Sequence, residues 1–408
     1  MRYKAVFCLS FVILWAVVFC GVSNRNVSAQ PTSKEKSKLK NFGSSLKKHE
    51  KKSDANSKDK EKKNGFAEEE TIQVETNLVV NDILVLNQKG NLIAGLKKDD
   101  FVVTEDGIPQ DIGIFSYGEN TTMPRSIVLI IDYSGSQLPY INNSIEAAKI
   151  LVDKLSPQDR MAIVTDDVKL LVQFTNDKTL LKKELESLRK KALSGSSGRS
   201  EQFSALLAVL NEMFDTEDTR PIIIFQTDGD EFPFLKPIWE RWRKYYTEKN
   251  FGFDDIKETI ERKRATIYSI IPGIRFVGLS IEEQLARAEV TIEKMMRHQL
   301  KITDKQRIAD SVKKYSSIEV EERLAYQSSL VEVAKLSGGH TDYIEKPEDA
   351  ANVYDTIFTT ISNRYVIGYY TKNQEKDGKR RDVKIEVCGH PEYIILGGKS
   401  YFAPQNEK

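Results

Sequence analysis

Runs of branched aliphatic residues alternate, along the middle of the chain, with segments whose apolar residues recur at helical spacing. One run, residues 126–131, carries five successive branched aliphatic residues, which is typical of a strand buried on both faces of a parallel sheet. Similar runs span residues 221–226 and 265–271. Because helical segments separate these strands, the pattern predicts an α/β fold with a doubly wound, mostly parallel sheet.

The remaining elements of this region follow from the same periodicities. The pattern predicts strands at residues 161–165, 169–174 and 338–343, and helices at residues 144–155, 180–190 and 204–214.

The sequence pattern predicts short strands at both ends of the chain. On the amino-terminal side these lie between residues 71 and 117, and on the carboxy-terminal side at residues 365–370, 383–387 and 393–396. Lys376-Asp377-Gly378 predicts a hairpin turn. Each end has too little sheet to be stable alone, so we expect both to combine into one small β-sandwich, with the α/β domain inserted between them.

Two connections in the α/β region are unusually long. Residues 230–264 and 273–337 both follow carboxyl ends of strands, so both should rise from the same face of the sheet. Trp239, Trp242 and Tyr246 of the first fall on one helical face, which fits either anchors for a partner or packing against the second connection. The predicted apolar side of the second connection comprises Leu285, Ile292, Met295 and Ile308.

Polar side chains follow two of the buried strands directly. Asp132, Ser134 and Ser136 come after the first, and Asp228 comes after the second, within Thr227-Asp228-Gly229. Ligands of open α/β sheets bind at the carboxyl ends of strands, and carboxylate and hydroxyl oxygens suit a hard cation such as Mg²⁺. Asp and Ser are also common in turns and helix caps, which is the alternative interpretation.

The order of these motifs resembles a von Willebrand factor type A (VWA) domain. The wider chain resembles the VWFA-related family of secreted bacterial proteins, over roughly residues 71 to 402 apart from the two long connections. The matching segments are Leu96-Lys97-Lys98-Asp99-Asp100-Phe101, residues 105–110 (EDGIPQ), residues 159–164 (DRMAIV) and residues 364–370 (RYVIGYY).

The resemblance implies a metal-ion-dependent adhesion site and a bound Mg²⁺, with Mn²⁺ or Ca²⁺ as alternatives. Its metal ligands map onto Asp132, Ser134, Ser136, a loop threonine and Asp228. This chain has no threonine at the matching loop position. Alignment of the following helix gives Ser200, and Ser196 and Ser197 are the competing choices.

The amino terminus predicts export. Basic residues, an apolar stretch over residues 5–22 and Val27-Ser28-Ala29 indicate a secretory signal peptide, and an uncleaved membrane anchor is the alternative. Residues 31–66 hold twelve lysines and five acidic residues with little apolar content, which predicts a disordered linker. This linker is either a plain solvated spacer or a contact to an anionic envelope surface.

Cys388 is the sole cysteine outside the signal region, so the mature chain could form no internal disulfide.

The predicted organisation is a signal peptide (1–29), a disordered Lys-rich linker (30–70), a first β-sandwich part (71–121), a VWA domain with helical insertions 230–264 and 273–337 (122–362), and a second β-sandwich part (363–404).

Two classes of function remain open from the sequence. The resemblance implies an exported, non-enzymatic binding module that holds an exposed Asp or Glu of a protein partner through a divalent cation. The alternative is a metal-dependent hydrolase using Asp132, which would need a general base nearby. HExxH, GxSxG and CxxC motifs are absent, and the basic residues lack interleaved aromatics, which disfavours nucleic-acid binding.

Overall fold

The computed structural model describes residues 42–47, 78–118, 124–214, 220–245 and 249–405, with the side chains of residues 236, 237 and 299 excepted. The predicted signal peptide, most of the predicted linker and Tyr246 lie outside these residues. Within the described ranges, no helix is sufficiently long and apolar to span a membrane.

The strands, in chain order, are β1 (Leu78–Leu86), β2 (Phe101–Glu105), β3 (Ile108–Gln110), β4 (Ile112–Tyr117), β5 (Arg125–Ile131), β6 (Arg160–Thr165), β7 (Lys169–Thr175), β8 (Arg220–Gln226), β9 (Thr266–Pro272), β10 (Thr341–Ile344), β11 (Tyr365–Tyr370), β12 (Arg380–Val387), β13 (Ile394–Leu396) and β14 (Ser400–Phe402). The longer helices are α1 (Ile141–Asp153), α2 (Lys178–Leu193), α3 (Gln202–Glu212), α4 (Lys236–Trp242), α5 (Phe253–Lys263), α6 (Ile281–Lys294), α7 (Lys305–Ser337) and α8 (Asp349–Ser362).

The central sheet has the strand order β10-β9-β8-β5-β6-β7, parallel except for the edge strand β7. Every residue of β5 is buried, because helices cover both faces of the sheet. Leu129 and its alternate neighbours pack with α1, α2 and α8, whereas Val128 and Ile130 pack with α3, α5 and α7. The predicted doubly wound, mostly parallel sheet is confirmed.

The two chain ends form two antiparallel four-stranded sheets, with strand orders β13-β1-β11-β4 and β14-β12-β2-β3. Each sheet combines strands from both ends, since β1 pairs with β11 and β2 pairs with β12. Their facing side chains share one core that includes Ile83, Val103, Ile367, Ile385 and Tyr401. The predicted β-sandwich made from both chain ends is therefore confirmed.

The hairpin predicted at Lys376-Asp377-Gly378 is wrong. Strand β11 belongs to one sheet of the sandwich and β12 to the other, so residues 371–379 cross between the sheets. Turn residues mark where a strand stops, and they do not specify which sheet the next strand joins.

A buried ion-pair cluster joins the sandwich to the α/β domain. Asp82 of β1 accepts hydrogen bonds from Arg220 Nε at 2.7 Å and Arg364 Nε at 2.6 Å. Arg364 also donates to the backbone oxygens of Asp82 and Gly338, at 2.7 and 2.9 Å. The cluster fixes β1 against the first residue of β8 and the residue before β11.

The two long connections pack against each other through α4 and α7. Trp242 Nε1 donates to Glu322 Oε1 at 2.9 Å, and Arg241 pairs with Glu321 and Glu322. The ring of Phe232 lies 5.7 Å from that of Tyr326. These contacts favour packing over a free partner-binding face for the aromatic residues of the first connection.

The apolar side predicted for the second connection is correct at Ile292 and Ile308, which are buried, and wrong at Met295, which is 39% exposed. Met296 is buried in its place. Ala288, Ile292 and Met296 recur at i, i+4 and are all buried, so Met296 rather than Met295 continues the buried face of the helix.

Part of the predicted linker is ordered. Residues 44–47 form a helical turn, and Phe42 and Leu46 pack against the core beside α3. Glu212 accepts hydrogen bonds from the backbone N–H groups of Gly43 and Ser45, at 2.9 and 2.7 Å. The prediction of disorder is therefore wrong for these six residues, because two apolar side chains at i and i+4 suffice to dock one turn.

Removing the Glu212 carboxylate should release this turn. We expect Glu212→Ala to accelerate tryptic cleavage after Lys47 by about tenfold or more, since charge-assisted hydrogen bonds stabilise by about 1.5–3 kcal/mol. Glu289→Ala, at an exposed position of α6, is the matched control. Equal cleavage rates in the two variants, measured by mass spectrometry, would contradict the docking role of Glu212.

Candidate metal centre

The Asp-x-Ser-x-Ser and Thr-Asp-Gly segments lie side by side at the carboxyl edge of the central sheet. Strands β5 and β8 are parallel neighbours, with Ile131 opposite Gln226. The N–H of Asp132 donates to the backbone oxygen of Gln226 at 3.0 Å, which extends the pairing by one residue. The topology therefore brings Asp132 and Asp228 together, as the sequence predicted.

Asp132 is held by two hydrogen bonds. Its Oδ1 accepts from the N–H of Ser134 at 2.8 Å, and its Oδ2 accepts from Thr227 Oγ1 at 2.6 Å. Ser134 Oγ lies 3.1 Å from Ser136 Oγ and makes no capping bond to the short helix that follows. The helix-cap interpretation of Ser134 is thus not supported, and its hydroxyl lies with that of Ser136.

Thr227 is a site residue that the sequence reasoning did not single out. Its hydroxyl donates to Asp132 and accepts from the N–H of Gly229 at 3.0 Å. It thereby links the ends of β5 and β8. The signal was present in the Thr-Asp-Gly motif, where the threonine directly precedes the predicted ligand.

Three carboxylates converge at this edge. Asp132, Asp228 and Asp230 each place an oxygen within 4.8 Å of the other two. Asp228 Oδ1 is buried and has no hydrogen-bond partner among the described residues. Asp230 Oδ1 accepts from Gln202 Nε2 at 3.0 Å. A buried carboxylate oxygen without a donor indicates that the arrangement needs a cation or water there.

The electrostatics agree with this geometry. Burial, followed by the charges of Asp166 and Asp230, raises the pKa of Asp132 well above its usual range. Burial, followed by the charges of Asp230 and Asp132, raises the pKa of Asp228 in the same way. A divalent cation would offset both effects by supplying positive charge next to the carboxylates.

Asp166, which follows β6, organises the loop between α2 and α3. Its carboxylate accepts from the N–H groups of Tyr133, Arg199 and Ser200, at 3.1, 2.7 and 3.0 Å. A Cβ at Gly198 would lie 2.0 Å from Asp166 Oδ2, so this position requires glycine. Burial is the main cause that raises the pKa of Asp166 to about 6.

The three candidate loop serines differ in position. Ser196 and Ser197 are exposed, whereas Ser200 is partly buried and bonded through its N–H to Asp166. Ser200 has a left-handed backbone with φ +53°, which is uncommon outside glycine and indicates a constrained loop. These observations favour Ser200 over its neighbours, and its role as a ligand stays a prediction.

Arg323 of α7 lies at the same edge and was not foreseen. Its Nη1 is 3.7 Å from Asp228 Oδ2, and its Nε donates to Glu319 Oε1 at 2.9 Å. Arg323 and Asp228, together with Tyr140 and Gln327, line a cavity of about 50 Å³. In the sequence Arg323 and Glu319 read as an ordinary i, i+4 surface pair.

Residues 127–231 match a family model described as the von Willebrand factor type A domain. The chain contains a VWA domain. The resemblance inferred from the two motifs is thereby confirmed for this domain. The comparison with curated proteins gives no match.

Several solved structures are similar to the chain. The von Willebrand factor type A protein from Catenulispora acidiphila has 14% identity and a TM-score of 0.38, covering 82% of this chain and 76% of that chain. An aerotolerance-related membrane protein from Bacteroides fragilis has 14% identity and a TM-score of 0.35, covering 58% and 98%. Manganese-loaded TRAP protein from Plasmodium vivax has 13% identity and a TM-score of 0.32, covering 71% and 98%. These likenesses are too distant to assign a metal, a partner or an activity.

Proposed function

We propose that the chain is an exported, non-enzymatic binding module that holds an acidic group of a protein partner through a divalent cation. The proposed metal ligands are Asp132, Ser134, Ser136, Ser200 and Asp228. The cation would be Mg²⁺, with Mn²⁺ or Ca²⁺ as alternatives. The observation that carries the proposal is the buried, unpartnered Asp228 Oδ1, found among the described residues beside the oxygens of Asp132 and Asp230.

The donor set fits a hard cation. All the proposed ligands are carboxylate or hydroxyl oxygens, which Mg²⁺ and Ca²⁺ prefer over nitrogen or sulfur. Asp132 and Asp228 supply two negative charges, which a divalent cation neutralises. Thr227 and Asp166 would orient the ligands, because Thr227 is hydrogen-bonded to Asp132 and Asp166 is hydrogen-bonded to the loop that carries Ser200.

A partner would complete the coordination. Mg²⁺ takes about six oxygen ligands and keeps several waters when a protein supplies fewer. A carboxylate is the natural replacement for one such water, so the module would select an exposed Asp or Glu. Because the surrounding side chains of Asp132, Asp228 and Asp230 are acidic, the partner carboxylate would be held by direct coordination to the cation.

The placement in the cell follows from the amino terminus. We propose export through residues 1–29 and a Lys-rich spacer over residues 30–70, docked to the VWA domain at residues 42–47. The spacer would be a plain solvated tether, with contact of its remaining lysines to an anionic envelope surface as the alternative. Hydrolysis of generic phosphoesters in the presence of Mg²⁺ would instead favour the hydrolase alternative.

Titration of the purified chain with Mg²⁺ tests the proposal. We expect calorimetry to detect one site that chelation with EDTA empties. Ser200→Ala should weaken Mg²⁺ affinity by about tenfold, in keeping with the loss of one hydroxyl ligand or its support. Ser197→Ala, at an exposed position of the same loop, should leave the affinity unchanged. Absence of Mg²⁺, Mn²⁺ and Ca²⁺ binding would overturn the proposal.

A further inference from the structure

Arg323 is a cationic side chain that lies next to the proposed metal ligands. Its guanidinium reaches within 3.7 Å of Asp228 Oδ2, while its side chain is 31% exposed. This distance is too long for a hydrogen bond, so Arg323 and Asp228 interact as an ion pair only. Its Nε donates to Glu319, and Nη1 is the guanidinium nitrogen that lies near Asp228.

The helix that carries Arg323 is fixed close to the site. Leu330 and Val333 of α7 are buried in the core above the central sheet. A Cβ at Gly229 would lie 2.9 Å from the backbone oxygen of Tyr326, so α7 packs directly on the Thr-Asp-Gly turn. A shift in the position of Asp228 would therefore act on α7 through direct contact.

We propose that Arg323 is a resident counter-ion of Asp228 that competes with the divalent cation and so sets the metal affinity of the site. The inference rests on the proposed metal site. A cation bound to Asp228 would lie near the guanidinium, and two positive charges at such a separation repel each other. Metal binding must therefore displace or weaken the contact between Arg323 and Asp228.

The same competition would couple metal binding to the position of α7. Thermodynamic linkage makes the effect reciprocal, because whatever favours the Arg323 contact disfavours the metal. Glu322, the residue before Arg323, accepts the hydrogen bond from Trp242 Nε1. Trp239 and Trp242 are the tryptophans outside the predicted signal peptide, so their fluorescence reports on the contact between α4 and α7.

Calorimetric titration of Arg323→Gln with Mg²⁺ tests the competition. We expect affinity about five- to tenfold higher than in the wild-type chain, within the usual range of coupling between sites. Arg297→Gln is the matched control, since it removes the same charge from an exposed ion pair with Glu293 in the same connection. The control should leave Mg²⁺ affinity unchanged.

A second variant should shift the affinity in the opposite direction. Glu319→Gln removes the carboxylate that shares Arg323, so the guanidinium should pair more strongly with Asp228 and Mg²⁺ should bind more weakly. Mg²⁺ should also change the tryptophan fluorescence of the wild-type chain and have a smaller effect in Arg323→Gln. This readout separates displacement of Arg323 from a purely structural role.

The outcomes distinguish this inference from the proposed function. Equal or weaker Mg²⁺ affinity in Arg323→Gln, with normal binding by the wild-type chain, would overturn the competition and leave the metal site intact. Failure of every variant to bind Mg²⁺, Mn²⁺ or Ca²⁺ would overturn both.

Discussion

Asp132→Asn should abolish Mg²⁺ binding without lowering the stability of the metal-free protein. Asparagine keeps the shape of the side chain and one acceptor oxygen for Ser134, and its amide N–H can donate to Thr227 Oγ1 in place of the bond that Thr227 donates to Asp132. It also removes a buried negative charge that lies near Asp228 and Asp230. The metal loses a ligand, while the metal-free fold loses a repulsion. Asp132→Ala should likewise remove metal and partner binding together.

Thermal melts with and without Mg²⁺ provide the measurement. At a Mg²⁺ concentration about 100 times Kd, the wild-type chain should gain about 2.7 kcal/mol of stability by mass action, and Asp132→Asn should gain none. Asp177→Asn is the control, because Asp177 caps α2 away from the site and asparagine caps helices equally well. Unchanged Mg²⁺ affinity in Asp132→Asn would leave the Asp-x-Ser-x-Ser segment as a turn.

The sequence was informative where local pattern and topology coincide. Aliphatic runs such as residues 126–131 can be satisfied only inside a covered sheet, and the carboxyl ends of parallel strands meet at one edge. The sequence alone therefore predicts that Asp132 and Asp228 lie together. The shared sandwich followed from the small size of each chain end.

The missed residues depend on tertiary contacts that no local pattern encodes. Asp166 lies in an ordinary turn between β6 and β7, and its importance comes from three N–H donors brought from distant loops. Arg323 reads as a solvated member of a charged helix until α7 is packed on Gly229. The packing of Phe42 and Leu46 could not be predicted from composition, because two apolar residues scarcely change the mean hydropathy of a lysine-rich segment.

Asp82→Asn should be strongly destabilising, because it leaves two buried guanidinium groups without their shared carboxylate. The side chains of Arg220 and Arg364 are 4% and 1% exposed. Removing one partner of a buried ion pair typically costs about 3–5 kcal/mol, since the remaining charge stays desolvated. We expect a loss of this size in the free energy of unfolding, measured by urea denaturation at pH 7.

The pH dependence gives this prediction a second test. Burial alone would raise the pKa of Asp82, but Arg220 and Arg364 outweigh it and hold the pKa below its ordinary value of 3.8. A carboxyl group with a lowered folded-state pKa stabilises the fold above its unfolded-state pKa, and this contribution is lost as the pH falls through the folded-state value. The difference in free energy of unfolding between wild type and Asp82→Asn should therefore shrink in strong acid.

Asp111→Asn is the matched control, because Asp111 is 92% exposed in its pair with Lys372 and should contribute at most about 1 kcal/mol to the free energy of unfolding. Equal costs for the two substitutions at pH 7 would show that the Asp82 cluster does not hold the sandwich to the VWA domain.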